Sequence, residues 1–240
     1  MASELNILID FDNLPDLYRS RNLRSLAENI LSKVTPSEID SLKRIKIRLY
    51  GGWYEKLDLT INAQSLSAQI SNFFPITWND PLSTTSYIIS MEMAYTILPA
   101  PRIIMYDTFR SHHPLEGIKC LKPSEIGCKS STCSINQVVK FINTGKMDGQ
   151  CCDISPKDLF RKRSQKLVDT MLSLDLVHLA TQYQQPIIIV SSDDDFWPSI
   201  ITALKLGRRV IQVHTKPHYK TASHYSDYAT AQYLQKNIGV

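Results

Sequence analysis

Two short apolar runs, each followed at once by acidic residues, stand out in the hydrophobic and polar pattern of the chain. Residues 187–190 are all β-branched, and residues 5–9 form a second, mostly apolar run near the N-terminus. Runs of this kind, bounded by polar residues, are typical of strands that are buried on both faces of a parallel sheet. We therefore predict two central parallel strands at these positions.

Helices are predicted at residues 14–34, 55–71 and 166–182. The first is predicted to direct Leu17 inward, toward the core. The third is apolar almost all round, as expected of a buried helix.

Further strands are predicted between these helices. The segment 45–50 alternates apolar residues with Arg and Lys and ends at a pair of glycines, 51–52. Two more apolar runs, 87–98 and 103–109, are predicted to pair with each other and to include an edge of the sheet, whereas 75–84 is rich in turn residues. The alternation of strands and helices predicts an α/β fold with a central, mostly parallel sheet.

The segment 111–160 interrupts this alternation and is predicted to be a loop-rich insertion within a single domain that spans 1–240. It contains all five cysteines of the chain. Clustering of every cysteine in a segment poor in apolar residues indicates tetrahedral ligation of a structural zinc ion, although the spacing lacks a standard pair of C-x-x-C motifs. The alternative is a set of buried, reduced thiols. Our first choice of zinc ligands is Cys128, Cys133, Cys151 and Cys152, with Cys120 or a histidine as a substitute.

Acidic residues follow both central strands. Asp10 follows the first strand, and Asp193, Asp194 and Asp195 follow the second. Ligands of open α/β sheets bind at the carboxyl ends of the strands, which is where these side chains must lie. Carboxylates crowded at such an edge repel one another and lose solvation, so they favour a bound divalent metal ion. A capping role at the next helix, the main alternative, would need only one of the aspartates.

The buried helix at 166–182 carries two further acids. Asp169 lies in its first turn, where the helix dipole also favours a carboxylate, and Asp175 lies about 240° further round the helix at roughly 100° per residue. The two side chains therefore point in different directions. We expect Asp169 at the metal, because it is nearer the helix end, and Asp175 in a structural role. Asp194, which alternates away from its neighbours, is predicted to be nearly dispensable.

Three motifs, in this order, resemble those of the NYN domain family, a branch of the PIN-like metal-dependent nucleases. They are IDFDNL at 9–14, KLVD at 166–169 followed by LD at 174–175, and VSSDDDF at 190–196. Together the motifs span nearly the whole chain. Phe11 and Ser192 stand where a small residue and a glycine are common in the family. The resemblance implies a PIN-like, three-layer α/β/α fold and a nuclease site.

The resemblance also implies which residues form that site. The metal-binding acids of the family fall on Asp10, Asp169 and Asp193, with Asp195 as a fourth catalytic acid. Asn13 and Ser191, which we group with the residues that bind nucleic acid, match positions that support the acidic cluster. Oxygen ligands of this kind suit Mg²⁺ or Mn²⁺, and the family implies RNA rather than DNA as the substrate.

Two groups of basic residues lie near the acids in the sequence. The first has four cations within seven residues, namely Arg161, Lys162, Arg163 and Lys166. These residues either form a solvated face or contact the phosphates of a nucleic acid. Contacts to phosphates give an affinity that depends on salt and not on the base sequence. The second group surrounds the strand after the acids, namely Arg208, Arg209, Lys216, His218 and Lys220. Three aromatic residues also have two possible roles. They are either core residues or surfaces on which a base could stack, namely Trp53, Tyr54 and Trp197.

Composition excludes several classes of protein. Hydrophobic residues make up 43% of the 240 residues, which is typical of a globular rather than a disordered chain. The net charge of +4 and the pI near 8.7 allow a polyanionic partner. No apolar stretch approaches the ~20 residues needed to cross a bilayer, and the N-terminus lacks the basic region of a signal peptide. We therefore expect a cytoplasmic protein without a membrane partner, and we leave open whether it forms a homo-oligomer.

These observations predict a metal-dependent nuclease that hydrolyses the phosphodiester bonds of nucleic acid, with RNA as the substrate and partner. One alternative is a non-catalytic module that binds nucleic acid, which loss of one of the acids would favour. Another is a metal-dependent phosphatase of the haloacid-dehalogenase type, which also places Asp-x-Asp after a strand, here Asp10 and Asp12. A phosphatase of that type leaves the motif around Asp169 unexplained.

Overall fold

Strands and helices alternate along the chain, as the hydrophobic pattern predicts. This computed structural model describes residues 4–20, 22–39, 42–80, 85–109, 113–114, 121, 123–126, 134–146, 161–162, 167–221 and 232–238. The strands are β1 Leu5–Asp10, β2 Arg44–Tyr50, β3 Tyr54–Glu55, β4 Asp58–Leu59, β5 Ile76–Asn79, β6 Ser86–Met93, β7 His113–Pro114, β8 Arg161–Lys162, β9 Ile187–Val190, β10 Val210–His214 and β11 Tyr233–Asn237. The α-helices are α1 Asp16–Arg19, α2 Leu23–Leu31, α3 Ile61–Phe73, α4 Ser134–Thr144, α5 Val168–Gln182 and α6 Trp197–Lys205. Short 3-10 helices cover Phe11–Asn13, Pro36–Ile39, Pro123–Ile126 and Asp194–Phe196.

A seven-stranded sheet has the order β11-β10-β9-β1-β2-β6-β5. Its neighbouring strands are parallel, except that β5 is antiparallel to β6. Ile9 of β1 lies opposite Val190 of β9, so these two strands end side by side. The prediction of two central parallel strands is confirmed.

The order of the strands reverses between β1 and β9. From β1 the chain proceeds outward through β2 to β6, and from β9 it proceeds outward in the other direction through β10 to β11. A crevice opens at the carboxyl ends of the strands where the order of an open α/β sheet reverses, and ligands bind there. Asp10 is the last residue of β1, so it lies at this crevice.

Hydrophobic cores pack on both faces of the sheet, because side chains alternate along each strand. Ile7 contributes to one core together with residues of α2 and α3, and Leu8 contributes to the other together with residues of α5 and α6. The protein is thus a mixed α/β fold whose central, mostly parallel sheet is flanked by helices, an arrangement compatible with three α/β/α layers. Among the described residues, no helix combines the length and the apolar character needed to cross a membrane.

The predicted helix at 14–34 is in fact two helices, and the predicted inward position of Leu17 is wrong. Leu17 lies on the short helix α1 and is 59% exposed. Helix α2 begins after Asn22, whose Oδ1 accepts a hydrogen bond from the backbone N–H of Ser25 at 2.7 Å. Such a cap satisfies N–H groups that have no partner within the helix, so it fixes a new helix start.

The predicted helix at 55–71 begins later than expected. Residues before it form the hairpin of β3 and β4, in which Tyr54 pairs with Leu59. Thr60 then caps α3, because its Oγ1 accepts a hydrogen bond from the N–H of Ala63 at 3.2 Å.

The predicted pairing of 87–98 with 103–109 is wrong. Strand β6 forms as expected, but its antiparallel partner is β5, with Ile76 opposite Ile89, from the segment predicted to be turn-rich. The segment 103–109 lies outside the sheet because its backbone bonds to loops instead: the N–H of Met105 donates to the Tyr95 carbonyl at 2.8 Å. An apolar run alone does not decide which segment completes a sheet edge.

The chain divides into two compact units, Met1–Phe109 with Lys166–Val240, and Arg110–Gln165. In the second unit β7 pairs antiparallel to β8, and α4 buries Val139 and Phe141. The predicted zinc ligands Cys128, Cys133, Cys151 and Cys152, and the substitute Cys120, lie outside the described residues. The zinc site therefore stays a prediction.

Candidate functional site

Asp10 lies at the crevice and is almost fully buried, with 2% of its surface exposed. Its Oδ2 accepts a hydrogen bond from the Ser191 hydroxyl, at 3.1 Å from Oγ, and its carboxylate also bonds to the Asn13 side chain. Asn13 and Ser191, the two residues that the sequence assigns to the support of the acidic cluster, therefore contact Asp10.

A second carboxylate, that of Asp169, lies near Asp10. Burial, and next the negative charge of Asp169, raises the pKa of Asp10 from 3.8 to about 7. The hydrogen bonds from Asn13 and Ser191 act in the opposite direction, and the charge of Asp12 adds a smaller increase to this pKa. Two neighbouring carboxylates in a buried crevice resist being ionised together. This arrangement favours the binding of a proton or a cation.

Asp193 lies at the neighbouring strand end, and its carboxylate acts as a helix cap. Its Oδ1 accepts a hydrogen bond from the N–H of Asp195 at 3.0 Å, and its own N–H donates to Ser191 Oγ at 3.1 Å. Asp193 thus caps the 3-10 helix Asp194–Phe196, whereas α6, the helix that an aspartate was expected to cap, has no side-chain cap. Asp195 is exposed. In the part of the chain that the structure describes, no three His, Cys, Asp or Glu side chains gather as a metal-binding group.

Asp12 is a residue of this crevice to which the sequence assigned a role only in the phosphatase alternative. Its Oδ2 accepts a hydrogen bond from the N–H of Gly52 at 2.8 Å, so it ties the end of β1 to the loop that follows β2. A Cβ atom at Gly52 would lie 2.8 Å from the Phe109 side chain, so this close approach requires glycine. The pair of glycines directly after a predicted strand was the available signal, because glycine permits close backbone approach.

Asp194 has a partner that the sequence did not reveal. Its Oδ2 accepts a hydrogen bond from the Tyr219 hydroxyl at 3.0 Å. Its Oδ1 and the Nδ1 of His214 are buried, and neither atom has a hydrogen-bond partner among the described residues. This side chain anchors the loop that follows β10, and its dispensability for turnover stays a prediction.

Asp175 is a structural residue, and that prediction is confirmed. It is 0% exposed and accepts hydrogen bonds from the Tyr50 hydroxyl at 2.6 Å and from the N–H of Leu98 at 2.6 Å. The Nε of Arg48 lies 3.1 Å from its Oδ2. Three donors, one of them a cation, account for the whole carboxylate.

The first basic group falls largely outside the described part of the chain. Arg161 and Lys162 form β8 in the second unit, and the structure describes their backbone but not their side chains. Arg163 and Lys166 lie outside the described residues. The role of these four residues in binding nucleic acid stays a prediction.

The second basic group divides into structural and crevice residues. Arg208 donates to the Ala180 carbonyl at 2.7 Å, and Arg209 donates to the Glu38 carbonyl at 3.2 Å. Lys216 lies beside the acids, because its N–H donates to Ser192 Oγ at 3.0 Å. Ser192 thus connects the end of β9 to the loop after β10.

Two of the three aromatic residues singled out in the sequence belong to the core. Trp53 packs beside Phe11, with ring centroids 5.7 Å apart, and Trp197 packs beside Tyr233 at 5.4 Å. Both tryptophans are buried. Tyr54 is only half-buried, so it alone remains accessible for stacking.

We compared the chain with protein-family models, with curated proteins and with solved structures, and none of the three comparisons found a match.

Proposed function

We propose that this protein is a metal-dependent nuclease that hydrolyses phosphodiester bonds, with RNA as its substrate class. The observation that carries the proposal is the pair of Asp10 and Asp169, in which burial and the second carboxylate raise the pKa of Asp10 to about 7. Perturbed carboxylates in a crevice are typical of functional sites. The choice of RNA, and the finer description of the fold as PIN-like, rest on the family resemblance.

The carboxylates of Asp10 and Asp169 suit a hard divalent cation in their chemistry, although no three acidic or other ligating side chains among the described residues gather as a metal-binding group. Carboxylate oxygens are the ligands that Mg²⁺ and Mn²⁺ prefer, and a positive charge would relieve the repulsion that raises the pKa of Asp10. We propose that Asp10, Asp169 and Asp193 hold this metal and that the exposed Asp195 is an outer acid. When bound, such a metal supplies an activated water and stabilises the leaving oxygen.

The protein's own side chains hold the acids in place. The Ser191 hydroxyl donates to Asp10 Oδ2 and accepts from the N–H of Asp193, so one hydroxyl sets the distance between the ends of β1 and β9. Asp12 holds the Gly52 backbone against the same edge. These contacts fix Asp10 before a substrate arrives, and such preorganisation is a large part of enzymatic rate enhancement.

Incubation of the purified protein with labelled RNA and DNA, in Mn²⁺ or in EDTA, tests the proposal. We expect cleavage in Mn²⁺ and none in EDTA. Asp10→Asn and Asp169→Asn should each remove most of the turnover and leave the circular dichroism spectrum unchanged. The matched control is Asp16→Asn, which changes an exposed carboxylate of α1 and should keep full activity. Full activity in Asp169→Asn would refute the site.

Metal binding gives a second measurement that does not depend on turnover. Free Mn²⁺ at 100 times its Kd should stabilise the wild-type protein by about 2.7 kcal/mol, measured as a shift in Tm. Asp10→Asn should show a much smaller shift. An equal shift in both proteins would place the metal elsewhere.

The same assays separate the alternatives. Binding of RNA without cleavage in any metal would indicate a non-catalytic module. Hydrolysis of p-nitrophenyl phosphate, without cleavage of nucleic acid, would indicate a phosphatase.

A further inference from the structure

A cavity of about 440 Å³ lies at the edge of the sheet opposite the acids. Its wall forms where β1 and β2 begin and α5 ends: Glu4 precedes β1, Arg44 is the first residue of β2, and His178 lies near the end of α5. Asp169 lies in the first turn of the same helix. Because a helix rises ~1.5 Å per residue, Asp169 and His178 are about 14 Å apart along α5. The cavity is therefore separate from the proposed metal site.

Two oppositely charged side chains lie next to each other in this wall. Leu5 lies opposite Ile45, so Glu4 and Arg44, the residues directly before them, lie on neighbouring chains about 4.8 Å apart. Both line the cavity. Neither the Glu4 carboxylate nor the Arg44 guanidinium has an ion-pair or hydrogen-bond partner among the described residues. The cavity therefore presents one unpaired anion beside one unpaired cation.

The other charged groups on this face of the sheet are already paired. The Nζ of Lys46, which also lines the cavity, lies 3.0 Å from Oε2 of Glu92. Arg48 lies between Glu92 and Asp175 and forms ion pairs with both. Two cations thus face two acids, so this group of side chains is neutral in sum and leaves the charges of the cavity to Glu4 and Arg44.

The rest of the wall is largely apolar and aromatic. Leu98 and Leu179 line the cavity together with Tyr183, which is 41% exposed. The imidazole of His178 adds a polar group that has no hydrogen-bond partner in the described part of the chain. Sites for small molecules are typically pockets of roughly 300–1,000 Å³ with apolar walls and a few polar groups. This cavity has both the size and the composition of such a site.

A ligand with only one charge suits this pair of side chains poorly. A simple phosphate or carboxylate would bond to Arg44 but would lie beside the like charge of Glu4, and near the end of α5, where the helix dipole is negative. An amine alone would leave Arg44 unpaired. An α-amino acid carries its carboxylate and its ammonium group on one carbon atom, so it matches the two side chains at once.

We propose that this cavity binds a free α-amino acid with an apolar side chain. The Arg44 guanidinium donates to the ligand's carboxylate, a pairing that allows two parallel hydrogen bonds, and the Glu4 carboxylate accepts from its ammonium group. The ligand's side chain packs against Leu98, Leu179 and Tyr183. This site uses none of the acids at the crevice, so it holds whether or not the protein is a nuclease.

An NMR titration of the isotope-labelled full-length protein with L-phenylalanine tests the proposal. A ligand of this size is expected to bind with a Kd of roughly 1 mM or below. The amide signals of Arg44 and His178 should shift, and those of Asp10 and Asp169 should not. Absence of binding at about 10 mM, ten times that Kd, or shifts confined to the crevice, would overturn the proposal.

Three analogues test which groups of the ligand are recognised. The first, 3-phenylpropionate, lacks the ammonium group, phenethylamine lacks the carboxylate, and glycine lacks the side chain. Each should bind at least about 10-fold more weakly than L-phenylalanine, because each loses a charged hydrogen bond or the apolar contact. Equal affinity for 3-phenylpropionate would show a site for anions only and would contradict the role of Glu4.

Variants then assign each group of the ligand to a side chain. Arg44→Ala should weaken binding of L-phenylalanine and 3-phenylpropionate by about 10-fold and leave that of phenethylamine unchanged. Glu4→Gln should weaken L-phenylalanine and phenethylamine and spare 3-phenylpropionate. The matched control is Arg24→Ala, which removes an exposed arginine of α2, on the other face of the sheet, and should bind all three ligands normally. An equal loss for all three ligands in Arg44→Ala would overturn the assignment.

Discussion

Asp10 and Asp175 are both buried carboxylates, yet their surroundings are opposite in charge. Asp175 meets the Arg48 guanidinium, the Tyr50 hydroxyl and a backbone N–H. Asp10 meets a hydroxyl, the side chain of Asn13 and the negative charge of Asp169. Burial raises the pKa of both acids, but at Asp175 every neighbouring group opposes that increase, whereas at Asp10 the second acid adds to it.

This comparison shows that burial alone does not distinguish a structural acid from a functional one. The charge of the neighbouring group distinguishes a structural acid from a functional one. A buried carboxylate with a cation and several donors stabilises the fold as it stands, whereas one that faces another carboxylate carries a cost that a ligand can relieve. Replacing each acid in turn should therefore change stability in opposite directions.

The largest expected effect is on Asp175. Asp175→Ala leaves the buried Arg48 without one of its anionic partners, and we expect a loss of about 3–5 kcal/mol in the free energy of unfolding, measured by urea denaturation. The control is Asp16→Ala, which removes an exposed carboxylate and should change the free energy little. A loss below about 1 kcal/mol in Asp175→Ala would remove the distinction between the two acids.

The next effect is a pH dependence that belongs to Asp10. In EDTA the pKa of Asp10 in the folded protein is about 7, whereas the ordinary pKa of this group is 3.8. The folded protein therefore keeps a proton on Asp10 at pH values where the unfolded chain has lost it. Stability that is fully present below pH 3.8 is therefore lost as the pH rises through 7, by up to about 4 kcal/mol at ~1.4 kcal/mol per pKa unit. Asp10→Asn should remove this slope and be more stable than the wild type above pH 7. Parallel stability curves for the two proteins would show that Asp10 is ionised at no cost.

The smallest effect is on Ser191, whose hydroxyl donates to Asp10. Ser191→Ala should lower the free energy of unfolding by about 1–2 kcal/mol, because two hydrogen bonds at the crevice lose their partner. It should also raise the pKa of Asp10 further, so that the stability loss with pH becomes larger and continues to a higher pH. Ser20→Ala removes an exposed hydroxyl whose one described bond is to the Leu17 carbonyl, and it should leave both quantities unchanged. An unshifted pH profile in Ser191→Ala would contradict the bond to Asp10.

The parts of the fold that the sequence predicted are those where local pattern and burial agree. A β-branched run such as β9 suits only a strand buried on both faces, and the acids that follow it must lie at the strand end. The near-uniform apolar character of 166–182 likewise predicted α5. Asp175 could be separated from Asp169 by angle alone, because a helix has a fixed period.

The errors occurred where pairing between distant segments decided the outcome. Residues 103–109 are as apolar as a strand, but the edge of the sheet is completed by β5. The bond of Asp12 to Gly52 and the contact of Tyr54 with Tyr106 also join segments far apart in sequence. Periodicity carries no information about such contacts, so neither could be predicted.

The position of β1 between β2 and β9 has a consequence for synthesis of the chain on the ribosome. Strand β2 follows β1 closely, but Ser191, which bonds to Asp10, is 181 residues further along the chain. Ribosomes add ~5–20 residues per second, so Asp169 and Ser191 emerge on the order of ten seconds or more after Asp10. A nascent chain still attached to its own messenger RNA therefore lacks the acid pair until Asp169 has been made, and the proposed activity arises only after Ser191 has also emerged.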